Sequence, residues 1–187
     1  RAGMEVVEEE AWTTPFTQSF AVRLPIVSAP MGGAAGGRLA AAVTSAGGLG
    51  LIGPGYSDRE WIARELDAAA GARVGIGFIS WHLAHDPGRL TFALERGVRD
   101  VMLSFGDASP FVEPVRRAGA RLILQVQSLA AAREAITLGP DAIVAQGTEA
   151  GGHGADRALF PLLPAVVDVA RGIPVLGAGG VSDGRGL

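Results

Sequence analysis

Short, continuous runs of apolar residues recur along this chain, and each run ends in a turn rich in glycine. Seven runs follow one another at residues 25–31, 48–53, 73–79, 100–105, 121–126, 142–146 and 174–178. Their apolar residues are consecutive instead of alternating with polar ones, which is typical of strands that are covered on both faces. The pattern therefore predicts seven parallel β-strands.

The segments between the runs carry the signals of helices. Helix starts are indicated by the capping box Ser57-Asp58-Arg59-Glu60, by Asp86-Pro87, by Ser109-Pro110 and by Ser128, and helix ends by Gly97, Gly119 and Gly139. Consecutive runs begin about 25 residues apart, which is the length of one β/α unit. The chain is thus predicted to alternate strands with helices.

This rhythm suits either a (β/α)8 barrel or a doubly wound sheet. We predict an α/β fold of the (β/α)8 TIM-barrel type, in which the chain ends after its seventh strand and lacks the eighth β/α unit. The alternative, a natural seven-stranded open sheet, would expose two long apolar edge strands, which favours aggregation. Residues 1–19 are predicted to be an N-terminal extension, and residues 20–187 the barrel domain.

Composition removes several classes of function. Of the 187 residues 48% are hydrophobic, and 16 basic against 19 acidic residues give a formal charge of −3 without a basic run, so we predict no nucleic-acid partner. No apolar stretch reaches the roughly 20 residues of a membrane span, and we predict a cytoplasmic protein with no membrane partner. The absence of cysteine and the three scattered histidines argue against disulfides, thiolate chemistry and a metal site.

Candidate chemistry falls at the ends of the predicted strands, where parallel α/β proteins place their active sites. His153 follows Gly151-Gly152 after the sixth run, so its imidazole is expected to stand open to a ligand and to act as a general base. The alternative is a structural or merely exposed histidine, which is the usual state of a lone imidazole. His82 and His85, beside Trp81, are interpreted as packing and solvent contacts.

Backbone and carboxamide groups at other strand ends can also hold a ligand. The segment 30–32, at the end of the first run, is small enough for a flat ligand to lie against the main chain. The glycine-rich loop 178–184 contains no lysine, so it would bind a phosphate through its amides alone. Gln125 and Gln146 can hydrogen-bond a heterocycle, and each is equally plausible as a polar residue of the barrel interior. Taken alone, each glycine turn is equally compatible with an ordinary turn before a helix.

Four segments carry a family resemblance when they are taken together and in order. They are Pro25-Ile26-Val27-Ser28-Ala29-Pro30-Met31, Ala46-Gly47-Gly48-Leu49-Gly50, Glu149-Ala150-Gly151-Gly152-His153-Gly154 and Ala178-Gly179-Gly180-Val181-Ser182-Asp183-Gly184-Arg185-Gly186. In these segments the chain resembles the nitronate monooxygenase family, formerly called 2-nitropropane dioxygenases, from about Phe16 to the last residue. The resemblance implies that residues 20–187 form a TIM barrel that binds FMN.

The resemblance also implies roles for particular residues. Cofactor contacts would come from Pro30, Met31, Gly32, Gly77, Gln125, Gly151 and Gly152, and the FMN phosphate would lie on Ala178, Gly179 and Gly180. Many relatives carry asparagine near the position of Gly77. His153 matches the family's catalytic histidine, which removes the α-proton of a neutral nitroalkane.

The implied reaction is the oxidative denitrification of a nitronate or nitroalkane by O2, which yields a carbonyl compound and nitrite. The partners are then a small-molecule substrate and O2, and a homodimer is compatible with the sequence. One alternative is the FMN- and NAD(P)H-dependent enoyl-acyl carrier protein reductase of the same fold, which usually carries Gln-Gly-Gly-Met where this chain has residues 28–31. The other is a non-catalytic flavin-binding protein in which His153 only hydrogen-bonds the ligand.

Overall fold

The chain forms a repeating series of strands and helices in a computed structural model that describes residues 12–154 and 156–186. The helices are α1 (Pro15–Phe20), α2 (Gly37–Ser45), α3 (Arg59–Ala68), α4 (Ser80–Leu83), α5 (Gly88–Glu95), α6 (Ser109–Arg117), α7 (Leu129–Thr137) and α8 (Leu159–Ala170). The strands are β1 (Leu51–Ile52), β2 (Gly75–Ile79), β3 (Asp100–Ser104), β4 (Arg121–Val126), β5 (Ala142–Gln146) and β6 (Val175–Ala178). Residues 1–11 of the predicted extension lie outside the described residues, and residues 15–20 form α1.

The six strands are parallel and lie side by side in chain order, from β1 to β6. Consecutive strands are connected through helices. A doubly wound sheet reverses its strand order at a switch point, whereas a barrel adds its strands in sequence. The described strands therefore form one continuous wall of a (β/α)8 TIM barrel, which confirms the predicted fold.

The first apolar run departs from the prediction. Residues 25–31 form no regular strand, and Val27 makes only an isolated parallel bridge with Leu49. The pairing starts normally, since the N–H of Ser28 donates to the carbonyl of Leu49 at 3.0 Å. It then stops because the side-chain Oγ of Ser28, instead of a backbone carbonyl, accepts the N–H of Leu51 at 2.9 Å. The prediction of a regular strand in the first run was therefore wrong.

Apolar side chains cover both faces of the sheet, as the continuous runs predict. The outer face packs against the helices through a large cluster that includes Ile76, Leu103 and Ile143. The inner face carries a second cluster, made of Phe16, Phe20, Leu49, Leu51, Met102, Ile123, Ala142 and Val144. This inner cluster fills the barrel below the strand ends.

An ionic cluster closes the barrel at the amino ends of the strands, an end that we call the barrel base. The carboxylate of Asp100 is fully buried and pairs with Arg73 at 3.0 Å and with Arg121 at 2.6 Å. The same arginines donate to carbonyls of α1, Arg73 to Phe20 at 2.6 Å and Arg121 to Ser19 at 2.8 Å. Helix α1 is thereby fixed across the barrel base.

Side-chain caps mark where helices α3 and α7 begin. Ser128 caps α7 as predicted, and its Oγ accepts the N–H of Ala131 at 3.1 Å. Helix α3 is capped instead by Asp58, whose carboxylate accepts the N–H of Trp61 at 2.8 Å, so the box predicted on Ser57 is displaced by one residue. Aspartate and serine are comparable N-caps, and the sequence alone does not choose between neighbours.

Candidate active site

The carboxyl ends of the strands meet at the end of the barrel opposite the barrel base, and we call this end the barrel mouth. Three polar side chains on neighbouring strands, Ser104, Gln125 and Gln146, form a polar row there. They share the inner face with the apolar residues two positions earlier, because strand side chains alternate between faces. Gln125 Nε2 donates to Gln146 Oε1, and Ser104 Oγ donates to Gln125 Oε1 at 3.4 Å. The polar row therefore places two carboxamides directly above the inner apolar cluster.

Glutamine side chains also tie down the loop that carries His153. Gln127 Nε2 donates to the carbonyl of His153 at 2.7 Å and contacts Gln146 Oε1 at 2.9 Å. Gln146 Nε2 donates to the carbonyl of Gly151 at 3.3 Å. The backbone of this loop is thus attached to the polar row, while the side chain of His153 is exposed.

Aromatic side chains surround the imidazole of His153. The Oη of Tyr56 lies 3.4 Å from His153 Nε2, and the ring centres of Phe105 and Trp81 lie 5.0 and 6.5 Å from that of the imidazole. Phe105 has a φ of +58°, a conformation that a bulky side chain rarely adopts and that tends to occur at functional sites. The carbonyl of Phe105 is held by the N–H of Trp81 at 3.1 Å. His153 therefore lies against aromatic side chains from three separate segments of the chain, a partly exposed group that we call the aromatic pocket.

The half-buried His82 and the buried Arg89 lie next to this aromatic pocket. The Nε2 of His82 is buried without a hydrogen-bond partner in the described part of the chain. Burial lowers the pKa of His82, and the charge of Arg89 lowers it further. Arg89 is itself buried and donates to the carbonyl of His82 at 2.7 Å. The lowered pKa favours the neutral imidazole of His82, whose ring packs against Tyr56 and Trp81.

The turn after β6 exposes backbone amides at the barrel mouth. Gly179 and Gly180 have φ values of +122° and +75°, and within the described residues their N–H groups have no hydrogen-bond acceptor. Consecutive amides in such a turn form a concave donor site that suits an anion. A Cβ on Gly179 would lie 2.8 Å from the N of Ala150, so the turn packs directly against the loop after β5. The two glycine-rich loops singled out in the sequence are therefore neighbours.

Glu149 lies beside this turn without occupying it. Its two carboxylate oxygens accept the N–H of Leu159 at 3.1 and 2.8 Å, which caps the first turn of α8. Hydrogen bonds from its own backbone N–H and from that of Leu159 lower the pKa of Glu149, so the group stays ionised well into the acidic range. Its negative charge is directed to the helix and not to the exposed amides.

The segment after the first run contacts the barrel in a way that the sequence did not predict. A Cβ on Gly77 would lie 2.2 Å from Cγ of Pro30, so Gly77 provides the space for the proline ring. Gly32 approaches Gly55 so closely that a Cβ added to Gly32 would lie 3.2 Å from Cα of Gly55. Met31 projects from this segment and is 47% exposed. The absence of a side chain on Gly77 therefore allows the ring of Pro30 to pack at the barrel mouth.

The candidate residues gather at one end of the barrel, although the sequence missed several neighbours. Tyr56, Phe105 and Gln127 were not predicted, because their roles depend on contacts between loops that are far apart in the chain. Phe105 stands out in the structure through its positive φ, but a backbone angle cannot be recognised from the sequence. A cleft of about 230 Å³ next to α6 and α7 shares Phe105 and Gln125 with the candidate site and is also lined by Asp107 and Glu134. Its two carboxylates make it unsuitable for a phosphate.

Two further searches of the described residues bear on the site. Within residues 12–154 and 156–186, no three or more histidine, aspartate or glutamate side chains cluster as metal ligands would. In the same part of the chain, no helix combines the length and apolar character needed to cross a membrane.

Comparison with known proteins connects this geometry to a family. A family model described as nitronate monooxygenase matches residues 13–74 and 78–187, so that the unmatched residues 75–77 include Gly77. Nitronate monooxygenase npaC of Metarhizium robertsii is 36% identical over 196 residues, covering 86% of this chain and 53% of the relative.

Two other similar proteins carry different names. The (3aS,4S,5R,7aS)-5-hydroxy-7a-methyl-1-oxo-octahydro-1H-indene-4-carboxyl-CoA dehydrogenase of Mycobacterium tuberculosis is 33% identical over 179 residues, covering 93% of this chain and 50% of that protein. The structure of FabK from Thermotoga maritima has a TM-score of 0.83 at 30% identity, covering 93% of this chain and 56% of that chain. The chain thus spans about half the length of the curated relatives it matches.

Proposed function

Because the chain belongs to the nitronate monooxygenase family, we propose that the protein converts alkyl nitronates and neutral nitroalkanes to carbonyl compounds and nitrite, with O2 as oxidant and FMN as cofactor. The observation that carries this proposal is the exposed imidazole of His153, held in an aromatic pocket beside the polar row. This arrangement provides one base, an apolar surface for a small alkyl chain and carboxamides for a heterocycle. It contains the elements that the proposed reaction needs from the protein.

The residues at the barrel mouth fit FMN. The exposed amides of Gly179 and Gly180 suit the phosphate, and Gln125 and Gln146 offer both donors and acceptors to the polar edge of the ring. No atom lies within 4 Å of a Cβ built on Gly151 or Gly152, so that backbone is open to a flat ligand. Bound FMN would supply the electron transfer to O2 that no side chain provides.

In this proposal His153 acts only on the neutral form of the substrate. A neutral nitroalkane must lose its α-proton before it can be oxidised, and an imidazole with a free lone pair can accept that proton. The C–H electron pair remains on the substrate, which becomes the nitronate. A nitronate supplied in solution has already lost the proton and does not need His153.

The experiment that tests the function is a pair of assays on the purified full-length protein. Nitrite release from a nitronate in air, without consumption of reduced nicotinamide, is the result expected. Anaerobic oxidation of a reduced nicotinamide nucleotide with an enoyl thioester, together with the absence of nitrite release, would contradict the proposal.

A second candidate is a reductase or dehydrogenase that acts on a thioester. It is favoured by the similarity to FabK and to the carboxyl-CoA dehydrogenase, each of which aligns with 93% of this chain. The segment Ser28-Ala29-Pro30-Met31 favours the monooxygenase over the reductase, because the reductase usually carries Gln-Gly-Gly-Met there. The paired assays separate the two candidates directly.

The phosphate site gives a testable prediction for cofactor binding. We expect Gly179→Ala to weaken FMN binding about tenfold, because the added Cβ meets Ala150 and the φ of +122° is unfavourable for alanine. The measurement is a titration of the flavin-free protein with FMN, followed by flavin fluorescence. Gly172→Ala is the matched control, because Gly172 also has a positive φ, +92°, but lies at the opposite end of β6. Equal FMN affinity in the two variants would contradict a phosphate site at Gly179.

A further inference from the structure

The imidazole of His153 has little support from its own backbone. It is flanked by Gly152, with a φ of +85°, and by Gly154, and no atom lies within 4 Å of a Cβ on either glycine. The glutamine contacts described above reach only the backbone carbonyls of this loop. Contacts made by the ring must therefore fix its orientation.

Tyr56 provides the polar contact to this ring. Its Oη lies 3.4 Å from His153 Nε2. The tyrosine ring is held edge-on against His82, with ring centres 4.9 Å apart and an interplanar angle of 86°, and it also lies 5.7 Å from Trp81. Burial and the charge of Arg89 both lower the pKa of His82, which favours the neutral form of the ring that supports Tyr56. Tyr56 is therefore a fixed point against which His153 can be oriented.

We propose that Tyr56 is a positioning residue whose Oη accepts the N–H of His153 Nε2 and so keeps the lone pair of Nδ1 free to receive the substrate proton. This inference rests on the function proposed above. The opposite arrangement, with Tyr56 donating to Nε2, would place the imidazole proton on Nδ1 and leave neither nitrogen with a free lone pair. The tyrosine is 58% exposed, so its own hydroxyl proton can bond to water.

The contact matters most once the proton has moved. When the substrate C–H bond breaks, its proton forms an N–H bond at Nδ1, and its electron pair stays on the nitronate. The imidazole is then a cation, and the bond from Nε2–H to Tyr56 becomes charge-assisted, which strengthens it. An interaction that strengthens during the reaction raises the rate of that step. Tyr56 should therefore affect neutral nitroalkanes and leave nitronates largely unaffected.

Tyr56→Phe tests this division by substrate. The variant keeps the ring contacts with His82 and Trp81 and removes only the hydroxyl. We expect kcat/KM for a neutral nitroalkane to fall about tenfold, with kcat/KM for the corresponding nitronate unchanged within about twofold. His85→Asn is the control, because His85 belongs to the same aromatic group, 6.1 Å from His82, and is not among the rings around His153. An equal loss on both substrates would overturn the proposal.

A second measurement does not depend on turnover. Nitrogen-15 NMR of the flavin-free full-length protein, labelled at histidine, reports which ring nitrogen of His153 carries the proton, and His153→Asn identifies the signals. We expect Nε2 to be protonated in the wild type and the two tautomers to become more evenly populated in Tyr56→Phe. Protonation of Nδ1 in the wild type, or identical spectra in the two proteins, would overturn the positioning role. A loss of the proposed enzymatic function alone would leave these spectra as expected, so the two failures are distinguishable.

Discussion

Replacing His153 with asparagine is expected to lower kcat/KM for a neutral nitroalkane by about 10²- to 10⁴-fold, the usual contribution of a general base. Asparagine has no lone pair basic enough to accept the α-proton, whereas the surrounding pocket of Tyr56, Phe105 and Trp81 remains. The preformed nitronate of the same compound should react at a rate within a few-fold of the wild type. Nitrite release, measured in parallel for the two forms of the substrate, checks the prediction.

The parallel measurement contains its own control. Flavin content, read from the absorbance of each preparation, separates a loss of base from a loss of cofactor. Unchanged turnover of the neutral nitroalkane in a fully loaded His153→Asn variant would remove the base role and favour a histidine that only contacts the ligand. A similar loss on both substrates would point to a damaged binding site instead.

Replacing Asp100 with alanine is expected to lower the free energy of unfolding by about 3 kcal/mol, the largest stability effect that we predict. The change leaves the guanidinium groups of Arg73 and Arg121 facing each other at the barrel base without their shared carboxylate. It also loosens their bonds to the carbonyls of α1. Urea denaturation of the flavin-free protein, followed by circular dichroism, measures the loss.

Asp67→Ala is the matched control for this experiment. Asp67 also pairs with an arginine, Arg96, but the carboxylate of this pair is solvated, since the Asp67 side chain is 69% exposed where that of Asp100 is fully buried. Such a pair contributes less than about 1 kcal/mol, because water screens it and both chains lose freedom when they pair. If the two alanine variants lose equal stability, the barrel base does not depend on the buried carboxylate of Asp100.

Much of the fold could be predicted because parallel strands that are buried on both faces appear in the sequence as continuous apolar runs. Six of the seven apolar runs contain the observed strands, whereas their spacing alone suits both the sequential strand order of a barrel and the reversed order of a doubly wound sheet. The first run was mispredicted because one hydroxyl, that of Ser28, accepts the N–H of Leu51 and so ends the strand pairing. Composition and periodicity do not distinguish a serine that points to solvent from one that ends a ladder.

The candidate site was predictable only in part, for a similar reason. Glycines that follow strands can be located along the chain, and so can a lone histidine between them. The partners of that histidine cannot, because Tyr56 precedes it by 97 positions and reaches it only through the curvature of the barrel. The role of Gly77 also depends on a neighbour from another loop, since it accommodates Pro30.

The ionic cluster that fixes α1 has a consequence for how such proteins diversify. The anchoring charges lie at one pole of the barrel, and the loops that would determine chemistry lie at the other. Amino-acid changes in the loops at the barrel mouth can therefore accumulate without weakening the ionic cluster that anchors α1. This separation gives a physical reason why one scaffold accommodates relatives named for nitronate oxidation and for carboxyl-CoA dehydrogenation.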